Sequence, residues 1–257
     1  MQRPLTVSVV IPVKDDDCEL ARCLGAMSRQ TRPADEIIVV DNGSTDSSAA
    51  VAAAFGVRVV RCETPGIPAA SARGYDSARG DVVLRLDADC IPADTWVEAI
   101  ADAFAARPDV AVFAGGARFI DGPAPLRSVL ALVYLGAYVA LLTPTLGHLP
   151  LFGSNLGFRR AVWQAVGDRV HRWHDDMHDD LDLAFHMGER HRIRYLRSAR
   201  MGISMRPFSS GRSFATRIRS GAVTVVAHWP EDFPPVRWAR LVMRRTASAD
   251  DRADAAA

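Results

Sequence analysis

Four short runs of apolar, mostly β-branched residues recur in the first third of the chain: TVSVVIPV from Thr6, DEIIVV from Asp35, VRVVRC from Val57 and DVVLRL from Asp81. Their apolar character is too continuous for strands with one wet face, so they read as strands buried on both sides. Between them lie polar turns and helix-patterned stretches: CELARCLGAMSRQ, then NGSTDSSAAVAAAFG with Gly56 as its stop, then PAASARGYDSARG. Strand and helix alternating at this spacing predict an α/β fold, a mostly parallel central sheet with helices on both faces.

The pattern continues with a helix at DTWVEAIADAFAARP and a strand at VAVFAGGARFI, then loosens. With 257 residues, 49% of them hydrophobic, the chain can bury a large core, and global disorder is excluded. We read residues 1–120 as one half of a domain, 121–245 as its second half, and 246–257 as a tail without apolar pattern. RIRYL is a further candidate strand. The apolar segment VLALVYLGAYVALL, residues 129–142, is shorter than the roughly 18–20 residues of a spanning helix, and Pro144 and Gly147 follow as breakers. It reads as a buried or interfacial helix, with a lipid-facing helix as the alternative. A net charge of +1 excludes a nucleic-acid protein acting through a broad basic field. Four cysteines without a CxxC pair, and no secretory signal, lead us to expect reduced thiols in a cytoplasmic protein.

The fourth strand runs into LRLDADCIP, which sets Asp87 and Asp89 one residue apart. Along a strand, residues i and i+2 point the same way. Ligands of open α/β sheets bind beyond the carboxyl ends of the strands. Two ionised carboxylates about 5 Å apart repel by about 3 kcal/mol at an effective dielectric near 20. A shared proton, an arginine, a cap or a divalent cation must compensate, and magnesium commonly takes one or two carboxylates plus substrate phosphates. The plainer alternative is turn and helix capping by Asp89 and Asp94.

The segments VSVVIPVKDD, DEIIVVDNGSTDSS, GDVVLRLDADCIP, LFGSNLGFRRAVW and HDDLDLAFHM, in that order, resemble the large inverting glycosyltransferase family with the GT-A fold, family two. The resemblance spans roughly residues 6–190. It implies a nucleotide-diphospho-sugar donor, a UDP-sugar first among the candidates, a hydroxyl acceptor such as a lipid-linked or cell-envelope glycan precursor, and Mn2+ or Mg2+ as cofactor.

By that resemblance Pro12 and Val13, after Ile11, border the nucleotide, and Asp41 accepts a hydrogen bond from its base, a role suited to an acceptor-only carboxylate. Arg73 matches an arginine near the base or phosphates, while Gly74 stands where the family usually has asparagine. Asp87 is placed near the ribose and Asp89 on the metal. Arg85 is unusual, and its side makes it a partner for Asp87. Gly153, Ser154 and Asn155 line the acceptor side. Asp179 and Asp180 match a Glu-Asp pair whose second member is the general base. A late histidine completes the metal shell in some GT-A enzymes, and His228 is the candidate. A solvated acidic helix start remains the alternative for Asp179 and Asp180.

Arg206 and Arg212 are candidate diphosphate contacts, since the guanidinium fork suits phosphate, with surface arginine as the alternative. His174 and His178 share a helix-face spacing, but no second pair has zinc spacing, so the sequence argues against zinc. A nucleotidyltransferase is disfavoured because IPVKDDD lacks glycine. An aspartyl phosphatase is disfavoured because its D-x-D follows the first strand. A non-catalytic nucleotide-sugar-binding or membrane-peripheral protein of the same fold is the rival class. The 129–142 segment and the basic, aromatic VRWARLVMRR are the features that would bring the chain to the inner face of the cell membrane.

Overall fold

Val7–Val13 form the first strand, β1, with all seven residues buried, as a strand covered on both faces requires. The structure, a computed structural model, describes residues 3–208 and 211–254; the side chains of Pro207, Arg212, Ser213 and 245–254 lie outside the described set. After β1 come α1 (Asp17–Met27), β2 (Glu36–Asp41), α2 (Ser48–Ala54), β3 (Arg58–Arg61), α3 (Ile67–Ser77) and β4 (Val82–Arg85). Next follow the two-residue β5 (Ile91–Pro92), α4 (Trp96–Ala106) and β6 (Val112–Phe119). The remainder comprises α5 (Arg127–Leu146), β7 (Leu156–Arg159), α6 (Arg160–Val166), α7 (Asp179–Arg190), β8 (Ile193–Ile203), α8 (Gly211–Ala227) and α9 (Pro234–Asp254).

The strands form one sheet in the order β3-β2-β1-β4-β7-β6-β8-β5. β1 pairs in parallel with β2 and β4, and β2 with β3. β7 runs antiparallel to both β4 and β6, so a strand from later in the chain is inserted between two earlier ones. Alternation along β1 sends Val7, Val9 and Ile11 to one core with α1 and α4, and Val10 to the other with α3, α6 and α7. The mixed α/β sheet covered on both faces is the one expected from the strand pattern.

Gly74 explains its own departure from asparagine. A Cβ there would overlap Val10 and sit 2.9 Å from Val40 Cγ2, so α3 lies against the sheet only with glycine at that position. The described cysteines are unpaired, Cys18 exposed and Cys23, Cys62 and Cys90 buried.

Three expectations change. Pro144 lies inside the last turn of α5 rather than ending it; it removes one i→i−4 bond there, and the packing of the helix outweighs that loss. The stop comes at Gly147, left-handed at φ 75°, whose N–H caps Thr143 O at 2.8 Å. More important, α5 is not a core helix: only Ala131 and Leu146 are buried, while Leu132 is 73% and Leu141 71% exposed. Ala124–Leu146 is long and apolar enough, by length and composition, to cross a membrane. The backbone of 246–254 also continues α9, where the composition led us to expect a tail; residues 255–257 lie outside the described residues. Its alanine-rich sequence lacks a packing stripe but not helix propensity.

Candidate functional site

The first cleft opens at the carboxyl ends of β1, β2 and β4, where Pro12, Val13, Asn42 and the Asp87–Asp89 turn meet the segment before α3. β4 ends at Arg85, and the Cys90 N–H closes a turn on Asp87 O at 3.0 Å. The two aspartates therefore ride a turn rather than a strand, yet ligand oxygens of both lie within 4.8 Å of each other. Their partners differ. Asp87 Oδ1 accepts from Arg85 Nη2 at 2.9 Å, and Oδ2 from Ser154 Oγ at 2.5 Å. Asp89 Oδ2 accepts from Arg206 Nη2 at 2.9 Å, and the same guanidinium reaches Asp16 Oδ1 at 3.0 Å.

Burial and the neighbouring Asp87 charge push the Asp89 carboxyl above its ordinary value, with Arg206 opposing. Asp16 and Asp89 thus share the Arg206 fork, and Asp87, paired with Arg85, lies beside them in a cleft that Lys14 and Arg217 also line. Carboxylate oxygens gathered in this way suit a hard divalent cation.

A second cleft adjoins the first, sharing Ile67, Asp87, Asp175 and Arg217 with it. Its floor is Arg85, 3% exposed, whose Nη1 lies 2.9 Å from Asp179 Oδ2. Burial alone would lower the Arg85 pKa; Asp179 and Asp87 hold it well above its ordinary value. Gly153 makes room for this guanidinium, since a Cβ there would overlap it.

The two adjacent acids at the start of α7 are therefore unlike. Asp179 is engaged by Arg85 and by Ser71 Oγ at 2.9 Å, and burial, reinforced by Asp180 and Asp87, raises its pKa against Arg85. Asp180 accepts only backbone N–H groups in the hydrogen bonds found, Gly153 at 2.9 Å and Leu181 at 2.8 Å. It faces the cleft with lone pairs to offer, as a general base requires.

Pro12, Val13, Asp87, Asp89, Gly153, Ser154, Asp179 and Asp180 are thus brought to the two clefts, and Arg206 joins them. Four expected residues are not. Asp41 is 6% exposed and its Oδ1 caps the Ser44 N–H at 3.0 Å; the next residue, Asn42, lines the cleft instead. Arg73 sits on the exposed face of α3, because Gly74 beside it must face the sheet. Asn155 is fully buried, accepting from Trp96 Nε1 at 2.8 Å and donating to Gly116 O and Ala199 O at 2.8 Å each. It braces the core rather than the acceptor. His228 is no partner of Asp89: following α8, it stacks on Phe185 of α7 at 4.0 Å and approaches Asp182. The Arg212 side chain lies outside the described residues.

Sequence reading missed Lys14, Asn42, Asp16 and Arg217. The first three follow strand ends directly and carry the same positional signal as Pro12 and Val13. Arg217 lines both clefts from α8, and nothing local in the sequence marks it.

The family model described as "Glycosyl transferase family 2" matches residues 8–165. The chain is 35% identical over 100 residues to glycosyltransferase AglE of Haloferax volcanii, covering 36% of this chain and 33% of that one. It is 36% identical over 95 residues to glucosyl-3-phosphoglycerate synthase of Mycolicibacterium paratuberculosis, covering 34% and 29%. The matched stretches therefore span about a third of those relatives. The crystal structure of Mycobacterium tuberculosis glucosyl-3-phosphoglycerate synthase with Mn2+, UDP-glucose and phosphoglyceric acid superposes with a TM-score of 0.59. There the identity is 21%, with 87% of this chain and 79% of that one covered, which shows the shared GT-A fold.

Proposed function

Because the chain belongs to glycosyl transferase family 2, we propose that it moves a sugar from a nucleoside-diphosphate donor to an acceptor hydroxyl, with inversion and with Mn2+ or Mg2+. The observation that carries this reading is that Asp180 and Asp87 face one cleft, which joins the Asp89 cleft through Asp87. Base and donor corner are thereby adjacent.

In this reading the nucleotide lies along Pro12, Val13 and Asn42, with Asp87 beside its ribose. Asp89 holds the cation, with Asp16 near it; when bound there, the cation neutralises charge on the diphosphate as a Lewis acid. Arg206 and Arg217 offer guanidinium forks to the diphosphate oxygens. Asp180 takes the proton from the acceptor hydroxyl as its oxygen bonds to the anomeric carbon and the carbon–phosphate-oxygen bond breaks. One displacement through an oxocarbenium-like state inverts the anomeric centre. Asp179, tied to Arg85, positions the first turn of α7.

A UDP-sugar is the donor we favour by analogy with the Mn2+ and UDP-glucose complex above. The acceptor reading rests on an apolar groove between α5 and α8. Leu141, Leu142, Phe214, Ile218 and Val225 line it, and it opens onto Tyr134, Tyr138 and His178 of the Asp180 cleft. A hydroxyl acceptor carried on a long apolar chain fits this continuity, and with it we propose a peripheral position at the inner face of the cell membrane.

The test is a panel of nucleotide sugars with Mn2+ or Mg2+, read as released nucleoside diphosphate, with flotation on anionic liposomes. We expect slow release from at least one donor, and flotation with the vesicles. If every donor stays intact with either metal, the non-catalytic nucleotide-sugar-binding alternative replaces this reading. Protein that remains at the bottom of the gradient removes the membrane assignment.

A further inference from the structure

On the side of α7 away from the clefts, three histidines gather around one carboxylate. Asp182 and His186, four residues apart, share a face of α7; His171 comes from the loop before it, and His228 from the end of α8. One ligand atom from each lies within 4.8 Å of all the others. Asp182, His186 and His228 are 4%, 8% and 7% exposed.

The hydrogen positions expose a conflict. His228 Nδ1 lies 2.8 Å from Thr224 O, and a carbonyl only accepts, so Nδ1 carries the proton. In the neutral ring Nε2 is then a bare lone pair, and it faces Asp182 Oδ1, another acceptor, at 3.2 Å. His186 Nε2 lies 3.4 Å from the same oxygen. Neither nitrogen has a hydrogen-bond partner, although both are buried. Neutral His171 and His186 can each turn an N–H toward Asp182, so the conflict is that of His228, and the three rings crowd one carboxylate with centroids 5.0 to 5.9 Å apart.

A metal ion gives the His228 lone pair and the Asp182 oxygen one shared partner. Ligands about 2.0–2.1 Å from a tetrahedral Zn2+ lie about 3.3 Å from one another, close to the two separations above; the third, His171 Nδ1 to Asp182 Oδ1, is a hydrogen-bond contact of 2.7 Å that the ion would open. We propose that His171 Nδ1, Asp182 Oδ1, His186 Nε2 and His228 Nε2 bind one structural Zn2+, separate from the donor-cleft cation. The outer partners that such sites need are already in place. Thr224 O orients His228, and the His171 N–H holds Asp182 Oδ2 at 2.8 Å. The His171 side chain is 31% exposed, which leaves an entry path. The ion ties the α6–α7 loop, α7 and the end of α8 together, and so fixes the helix whose first turn carries Asp179 and Asp180. The 171-182-186-228 spacing has no short ligand pair other than Asp182 and His186, so the sequence argued against zinc.

The experiment is metal analysis of the full chain after dialysis against excess Mn2+, followed by Co2+ substitution. One Zn2+ per chain is expected, with the intense visible absorption of four-coordinate Co2+ after exchange. Asp89→Ala keeps that ion, whereas His186→Ala and His228→Ala lose it, with Zn2+ affinity down about 100-fold or more. Adding Zn2+ to stripped protein raises the melting temperature by about 5 °C or more. Should a histidine variant fail to fold, the Co2+ spectrum of the unaltered chain decides alone. Zinc well below one per chain after reconstitution, a six-coordinate Co2+ spectrum, or equal zinc in folded His186→Ala and His228→Ala overturns the site.

Discussion

The donor cleft stands on turns that follow parallel strands, whereas the acceptor cleft is walled by helices drawn from distant parts of the chain. Their charges are also settled differently. Around Arg206 two carboxylates, Asp16 and Asp89, share one guanidinium in an open cleft, with Asp87 beside them and already paired with Arg85. At the acceptor side each acid has its own partner: Asp179 has Arg85 and Ser71, and Asp180 has two backbone N–H groups. In the proposed reaction the first corner takes a cation and the second works without one, which gives the two acidic pairs different roles although their sequences look alike.

The largest expected effect is on catalysis. Asp180→Asn lowers turnover by about 10²-fold or more, the usual worth of a general base, while UDP affinity measured by calorimetry stays within about twofold. Turnover that survives would move the base elsewhere and break the contrast between Asp179 and Asp180.

Stability tests the self-contained corner. Arg85→Met leaves Asp87 and Asp179 without their shared cation, and costs about 3–5 kcal/mol in urea unfolding, the typical cost of breaking a buried pair. A loss below about 1 kcal/mol would mean that these acids do not depend on Arg85.

A control lies at the opposite end of β4. Asp81 accepts from the Thr6 N–H and hydroxyl, which hold its carboxyl below the ordinary range, with Arg3 adding to them. Its folded pKa is depressed, so its stabilisation is present above the unfolded value near 3.9 and fades as pH falls toward the folded one. Asp81→Asn therefore costs about 1–2 kcal/mol at pH 7 and flattens the acid limb of the stability curve. An unchanged acid limb removes the linkage.

The smallest effect sharpens the donor corner. Arg206→Ala frees Asp16 and Asp89, so Mn2+ binds about fivefold tighter without nucleotide, the scale of one screened ion pair, while UDP binds more weakly. Weaker binding of Mn2+ alone would contradict competition between the guanidinium and the metal.

What could be read in advance followed the same division. Strand ends place residues by short-range rules, so Pro12, Val13, Asp87 and Asp89 were legible, and so was the pairing of Arg85 with Asp87. Errors there were single-residue slips. Asn42 rather than Asp41 reaches the cleft, because adjacent residues point in different directions, and Arg73, expected near the base or phosphates, is turned to solvent because Gly74 beside it faces the sheet. Asn155 stood in a readable motif, but the buried Trp96 indole and two carbonyls occupy it. Arg217 and His228 depend on where α8 lies, which no local pattern encodes. Hydropathy marked the 129–142 segment, yet an apolar helix in the core and one on the surface have the same composition, and only the contacts of α5 distinguish them.

The account rests on a nucleotide bound through a cation at the Asp89 turn, and calorimetric titration of UDP into the full chain tests it most directly. The predicted result is binding that requires Mn2+, weakens at least tenfold in Asp89→Ala and persists in Asp180→Asn. UDP affinity that is equal with and without Mn2+, and indifferent to Asp89→Ala, would contradict it.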